Sequence, residues 1–165
     1  MSLSVSYFFT SGKLLPELAR EINEVVGCSL VPRERRPDSA FTAFPFFGMH
    51  LDLSISINNE EEGYEDIGEL VFSAYNFELN LTTNWGQAGV RPIQLPLLLS
   101  MVYLLHQQLG IRGMLVYDVQ KLLAKYEGKE VEENRSDLYD SVSQTTFWGF
   151  ADHLSVVEKR LPVRD

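Results

Sequence analysis

Apolar and polar residues alternate most regularly over residues 50–57, where every second position is apolar. Strict alternation is typical of a strand that buries one face and leaves the other in water. The same pattern returns over residues 77–82, and residues 69–75 predict an extension of that second strand or a further strand. If the two alternating strands pair as antiparallel neighbours, they form a sheet with one face on helices and the other open to water or to a ligand.

The most apolar part of the chain lies within residues 92–124. Leucines over residues 97–109 return to one broad helical face, which predicts a core helix. Pro96 suits the first turn of this helix, and Gly110 suits the position just past its end. Residues 113–117 are too few for a helix and apolar on both faces, so they predict a strand that is covered above and below.

Shorter patterns predict the elements of the N-terminal part. Residues 4–9 alternate until Phe8 and are rich in aromatic side chains, which favours a strand. Residues 13–26 repeat apolar positions at spacings of three and four, which predicts an amphipathic helix ended by the glycine that follows. The prolines and charges of residues 32–38 predict a solvated loop, and Pro45 makes residues 40–47 an edge strand or a packed loop.

Helices are predicted near the C-terminal end. Asp118 suits the cap of a short helix through residue 126, and residues 127–137 predict a charged loop. Residues 145–161 carry a narrow apolar stripe with spacings of 3 and 4, which predicts another helix. This last helix either docks on its own domain or forms the seam of a homodimer.

These elements follow the order strand, helix, strand, strand, helix, strand. The order resembles the split βαβ arrangement of ferredoxin-like folds. We therefore expect one α+β domain over residues 1–165, with an antiparallel sheet, helices on one face and further helices appended at the C-terminal end. Because this architecture hosts many unrelated activities, it does not fix the function.

Charge narrows the range of partners. The formal net charge is −9, from 14 basic and 23 acidic residues. Binding to nucleic acid depends on Lys and Arg that neutralise phosphates, so we expect no nucleic-acid partner and favour a basic protein instead. The apolar runs are shorter than the roughly 18 to 20 residues that a bilayer requires, which predicts a cytoplasmic protein without a membrane partner.

Few residues offer catalytic or cofactor chemistry. The chain has no Gly-rich phosphate loop, no nucleophile elbow and no Cys-x-x-Cys motif, so we expect no cofactor. His50, Asp52 and Glu78 fall on the open face of the predicted sheet and could bind a metal ion or transfer a proton. The simpler interpretation is that they form the solvated side of that sheet.

An acidic loop over residues 58–69 is the second candidate site. Its spacing partly matches an EF-hand calcium loop, but an amide stands where Asp is expected and strands flank it, so a solvated hairpin loop is favoured. Trp85 follows the second alternating strand in a segment that contains Gly86 and Gly89, and it is either a candidate apolar anchor for a partner or a cap of the core. The candidate partner-binding residues are Glu60, Glu61, Glu62, Glu65, Asp66 and Trp85.

The densest basic patch contains Arg33, Arg35 and Arg36, which suit phosphate or carboxylate, although Glu34 and Asp38 dilute the charge. As a whole, the sequence predicts a non-enzymatic acidic interaction protein, such as an inhibitor or immunity protein that binds a basic partner. The alternative is a metal-dependent or hydrolytic enzyme that uses the His, Asp and Glu cluster.

Overall fold

The structure is a computed structural model that describes residues 5–46, 49–58, 64–83, 91–117, 119–127 and 130–133. The described strands all belong to one antiparallel sheet, which confirms the predicted α+β class. The strands are β1 (Val5–Thr10), β2 (Val31–Arg33), β3 (Arg36–Phe46), β4 (Met49–Ile57), β5 (Phe77–Thr83), β6 (Arg112–Tyr117), β7 (Lys121–Glu127) and β8 (Glu130–Glu133). The helices are α1 (Leu15–Val26), α2 (Arg91–Leu109) and a 3-10 helix, Phe72–Ala74.

The sheet has the strand order β2-β3-β4-β5-β1-β6-β7-β8. The first strand in the sequence is therefore central, between β5 and β6. The ferredoxin-like arrangement is not confirmed, because β2 and β3 stand between α1 and β4, and because β7 and β8 extend the sheet beyond β6.

The two alternating strands behave as their pattern predicts. Leu53 and Ile55 of β4 are fully buried, whereas the alternating residues Ser54 and Ser56 are half-buried. Strand β5 pairs with β4 in antiparallel register, and Ser56 lies opposite Glu78. The predicted half-buried sheet is therefore confirmed.

Both helices end where a glycine was expected to stop them. Gly27 has a φ of 74° and Gly110 a φ of 63°, and this left-handed conformation carries no Cβ penalty in glycine. The start of α2 was predicted wrongly, because Arg91 rather than Leu97 begins the helix. Pro92, at the second helical position, supplies the N-terminal proline, so Pro96 lies further inside the helix.

The helices cover one face of the sheet and form the main core with it. Strand β1 contributes Val5, Tyr7 and Phe9 to this face, and each is almost fully buried. Helix α1 contributes Leu18 and Ile22. Burial of such side chains stabilises a fold by roughly 1.5 to 3 kcal/mol each, so this face contributes most of the folding free energy.

The opposite face of the sheet has a smaller apolar cluster of its own. Phe8, Met114 and Val116 project there and are buried by Leu70 and Phe72. Leu70 and Phe72 belong to the connection between β4 and β5. Residues 64–76 of that connection are called the covering segment below. The strand predicted over residues 69–75 is wrong, because the covering segment turns back over the sheet and forms the 3-10 helix instead.

The central strand β6 was predicted to be covered on both faces, and this is confirmed. Leu115 packs in the main core, whereas Met114 and Val116 pack under the covering segment. Gly113 is needed next to them, since a Cβ there would lie 2.2 Å from the carbonyl oxygen of Phe8.

Residues 31–46 form a hairpin, which corrects the predicted loop over residues 32–38. Glu34 and Arg35 make a two-residue turn between β2 and β3, and every residue from 31 to 38 is exposed as expected of a solvated segment. Described pairing to β2 ends at Phe41, so the rest of β3 has no outer partner among the described strands. Pro45 lies in this part of β3, in agreement with the predicted edge strand.

The C-terminal part differs most from its prediction. The helix predicted over residues 118–126 is wrong, since β7 pairs with β6 and buries Leu123, Ala124 and Tyr126. The charged loop predicted over residues 127–137 is partly wrong, because β8 pairs with β7. Backbone pairing with a neighbouring strand outweighed the local pattern here. The helix predicted over residues 145–161, and with it the dimer seam, lies outside the described residues.

Candidate functional site: the polar sheet face and the covering segment

The part of the sheet face that the helices do not cover is polar along β4 and β5. Asp52, Ser54 and Ser56 of β4 project there beside Glu78 and Asn80 of β5, and all are half-buried. Side chains two positions apart on a strand share a face, so the alternation that was visible in the sequence produces this surface.

Glu78 is held by a small hydrogen-bond network. The hydroxyl of Ser6, a residue only 1% exposed, donates to Glu78 Oε1 over 2.7 Å. Asn80 Nδ2 donates to Ser6 Oγ over 2.7 Å and lies 3.3 Å from Glu78 Oε1. Two neutral donors therefore fix this carboxylate, and no described Lys or Arg forms an ion pair with it.

Ser6 was missed by sequence reasoning. It lies on β1, and its hydrogen-bond partner Glu78 is 72 residues away in the chain. The period-two pattern of residues 4–9 places Ser6 on the face of Phe8, but only the strand order reveals that this face adjoins β5.

The three residues of the predicted metal site do not come together. Glu78 lies opposite Ser56, whereas Asp52 lies opposite Thr82, four positions along the strand. At about 3.4 Å per residue, this register separates their Cα atoms by about 14 Å along the strand. His50 lies in register with Pro45 of β3, further still from Glu78. Within the described ranges no group of three His, Cys, Asp or Glu residues is arranged to hold a metal ion.

The covering segment presents apolar and acidic side chains to solvent. Ile67 is 66% exposed, and Tyr64 and Val71 are exposed to 43% and 41%. The acidic side chains of the same segment are also exposed, namely Glu65, Asp66 and Glu69. Exposed apolar side chains among charges are typical of contact surfaces for other proteins.

Polar contacts fix the covering segment. Asn58 Nδ2 donates to the carbonyl oxygens of Phe72 and Tyr75, each over 2.9 Å. The Asp66 carboxylate accepts hydrogen bonds from the hydroxyl and the backbone N–H of Ser73. These bonds favour the ionised form and hold the pKa of Asp66 below its ordinary value. Side-chain hydrogen bonds from Asn58 and within the segment therefore hold the covering segment in place.

Tyr64 connects the covering segment with the Glu78 network. Its ring meets Phe8 edge-on with centroids 5.6 Å apart, and Phe8 lies directly opposite Glu78 in the sheet. Burial, and then the negative charge of Glu78, raise the pKa of Tyr64. The segment and the carboxylate thus share one face, which we call the acidic surface. It consists of Tyr64, Glu65, Asp66, Ile67, Glu69, Val71 and Glu78.

The remaining candidates of the predicted partner site are not described by the structure. Glu60, Glu61 and Glu62 lie in residues 59–63, and Trp85 lies in residues 84–90, both outside the described ranges. Of the predicted partner-binding residues, Glu65 and Asp66 are described, and both are exposed on the covering segment.

Comparison of the chain with known protein families, curated proteins and solved structures gives no match. The helices in the described part of the chain are not long and apolar enough to cross a membrane.

Proposed function

We propose that this protein is a non-enzymatic interaction protein that binds a basic partner protein through the acidic surface. The observation that carries the proposal is the covering segment, where exposed Tyr64, Ile67 and Val71 stand among exposed carboxylates. An inhibitor or immunity protein that neutralises a toxin in the cytoplasm is the role that suits this chemistry. Toxins that attack nucleic acid need basic surfaces, and such surfaces are complementary to this one.

Apolar and charged residues have different tasks in such an interface. Tyr64 and Ile67 can be desolvated by a partner and so contribute affinity, mainly by slowing dissociation. The surrounding carboxylates steer a basic partner and raise the association rate, with an effect that falls as salt rises.

Glu78 gives the surface a carboxylate with a fixed position. Since Ser6 and Asn80 already orient it, a partner Lys or Arg that pairs with Glu78 pays little for ordering this side chain. The half-exposed ring of Tyr64 beside it can stack on a guanidinium group. An arginine side chain is the partner group that uses both features.

The test is affinity capture from a lysate at low and at high salt, followed by association kinetics with the captured protein. We expect the retained protein to be basic and to be lost at high salt. The double variant Glu65→Lys, Glu69→Lys should lower its association rate by about tenfold or more, because it reverses the steering field.

A matched control changes the same amount of charge elsewhere. Glu17 and Glu24 are exposed on α1, which packs on the other face of the sheet. The variant Glu17→Lys, Glu24→Lys should reduce the rate much less. Equal losses in both double variants, or a captured protein that is not basic, would contradict the proposed surface.

A further inference from the structure

The tip of the β2–β3 hairpin carries an unusual pair of like charges. Arg33 and Arg36 flank the two-residue turn and lie directly opposite each other in the antiparallel register. Side chains at directly opposite positions project to the same side, with Cβ atoms about 4.5 to 5.5 Å apart. Both arginines are exposed, and so is Arg35 in the turn.

Like charges at opposite positions destabilise a hairpin unless something offsets them. The described part of the chain offers neither arginine a carboxylate in an ion pair. Arg33 is instead held over the ring of Phe41, with its Cζ atom 4.4 Å from the ring centroid. A cation–π contact of this kind orients a guanidinium group but leaves its N–H groups at the edge available to an acceptor.

We propose that Arg33 and Arg36 form a binding site for a phosphate group. A phosphate monoester carries close to two negative charges and three acceptor oxygens at neutral pH, so it can satisfy two guanidinium forks at once. A carboxylate has one charge and two oxygens, which suit a single fork. The site therefore selects phosphate over carboxylate and removes the repulsion between the arginines.

The ligand is an isolated phosphate group and not a nucleic acid. The chain carries a net charge of −9, which repels a long polyanion as a whole. A single phosphate is governed by nearby charges, because the screening distance is about 8 Å at physiological salt. Over residues 33–38, three arginines outnumber the two acidic residues Glu34 and Asp38.

This site is separate from the acidic surface. Strands β3 and β4 lie between β2 and β5, so roughly 14 Å of sheet separates the strand of Arg33 from that of Glu78. The inference therefore does not depend on the proposed function, and its failure would leave the basic-partner proposal unaffected.

Calorimetric or NMR titration of the full chain tests the site with three probes. These are inorganic phosphate, an alanine pentapeptide with a central phosphoserine, and the same peptide with unmodified serine. Phosphate and phosphopeptide should bind, and the unmodified peptide should not. If the phosphopeptide binds about tenfold tighter than inorganic phosphate, the natural ligand is a phosphorylated protein segment, whereas similar affinities identify the free ion.

Substitutions of single arginines test whether phosphate binds at the hairpin tip. Arg33→Gln and Arg36→Gln should each weaken phosphate binding at least about tenfold, and Arg33→Lys should weaken it too, since an ammonium lacks the fork. The control Arg20→Gln removes an exposed arginine of α1 and should leave binding unchanged. The hairpin variants are expected to keep the fold, which unfolding curves will check. An equal loss in Arg20→Gln, or equal binding of the unmodified peptide, would overturn the site.

Discussion

The two faces of the sheet are held by different forces. On the face that α1 and α2 cover, side chains such as Tyr7, Phe9 and Leu53 are completely buried in one continuous apolar core. On the opposite face, the buried apolar cluster around Phe8 that the described residues form is small, and the covering segment over it is fixed by the side-chain hydrogen bonds of Asn58 and Asp66.

Because of this difference, one face contributes most of the stability and the other leaves polar and apolar groups exposed to solvent. Apolar burial is non-directional and strong, so the larger core on the helix-covered face contributes most of the stability of the fold. The opposite face is therefore available for polar networks and exposed apolar groups, which stabilise little but can meet a partner. The acidic surface lies on that opposite face.

The largest difference between the faces should appear at neighbouring positions of β4. Leu53→Ala removes a fully buried side chain from the helix-covered core and should cost about 2 to 5 kcal/mol of unfolding free energy. Ser54→Ala, on the polar face, should change it by about 0.5 kcal/mol or less. Urea denaturation measures both, and the reverse order would mean that the two faces have been exchanged.

A smaller and local effect is expected where the covering segment is attached. Asn58→Ala removes two hydrogen bonds to the segment, which should cost about 1 to 3 kcal/mol in total. Hydrogen exchange should accelerate over residues 64–76, whereas the amides of β1 keep their protection. The control Ser56→Ala alters a half-buried hydroxyl near Asn58 and should leave exchange in the segment unchanged. Equal acceleration in β1 would show that the segment does not open independently.

The smallest expected effect is a change in the alkaline pH dependence of stability. Burial raises the pKa of Tyr7 far above its ordinary value, so the folded protein keeps this proton above pH 10 while the unfolded chain loses it. Stability contributed by the neutral phenol is thus complete below about pH 10 and falls by about 1.4 kcal/mol per pH unit above it. Tyr7→Phe should remove most of this slope.

Tyr64→Phe gives the matching measurement on the other face. The pKa of Tyr64 is also raised, but 43% of the residue is exposed and its phenolate stays partly hydrated. This variant should therefore retain most of the alkaline slope. Denaturant midpoints between pH 9 and 11 compare the two substitutions, and equal slopes for both would contradict the difference in burial.

Much of the helix-covered face could be predicted from the sequence, because its elements have regular local periods. The alternation of β4 and β5 gave both strands and their buried positions, and the covering of β6 on both faces followed from its composition. These predictions need only one strand or helix at a time, since the side-chain period alone identifies the buried face.

The errors share a different cause, which is pairing between distant or weakly patterned segments. Residues 121–127 place Leu122 and Leu123 side by side, which fits a helix locally, yet pairing with β6 makes them a strand. The covering segment and the network around Ser6 also depend on which strands become neighbours. No local period encodes that order.

The central position of β1 also determines when the sheet can form during synthesis. Ser6 meets Glu78 72 residues later in the chain, and Tyr7 reaches Ile111 104 residues later. At about 5 to 20 residues per second, translation takes roughly 4 to 14 s to supply the first of these partners. Throughout that interval the strand holds Tyr7, Phe8 and Phe9 with neither neighbouring strand in place. The nascent chain is therefore open to misassociation until β5 emerges, and we expect the yield of folded protein to rise when β1 is shielded during translation.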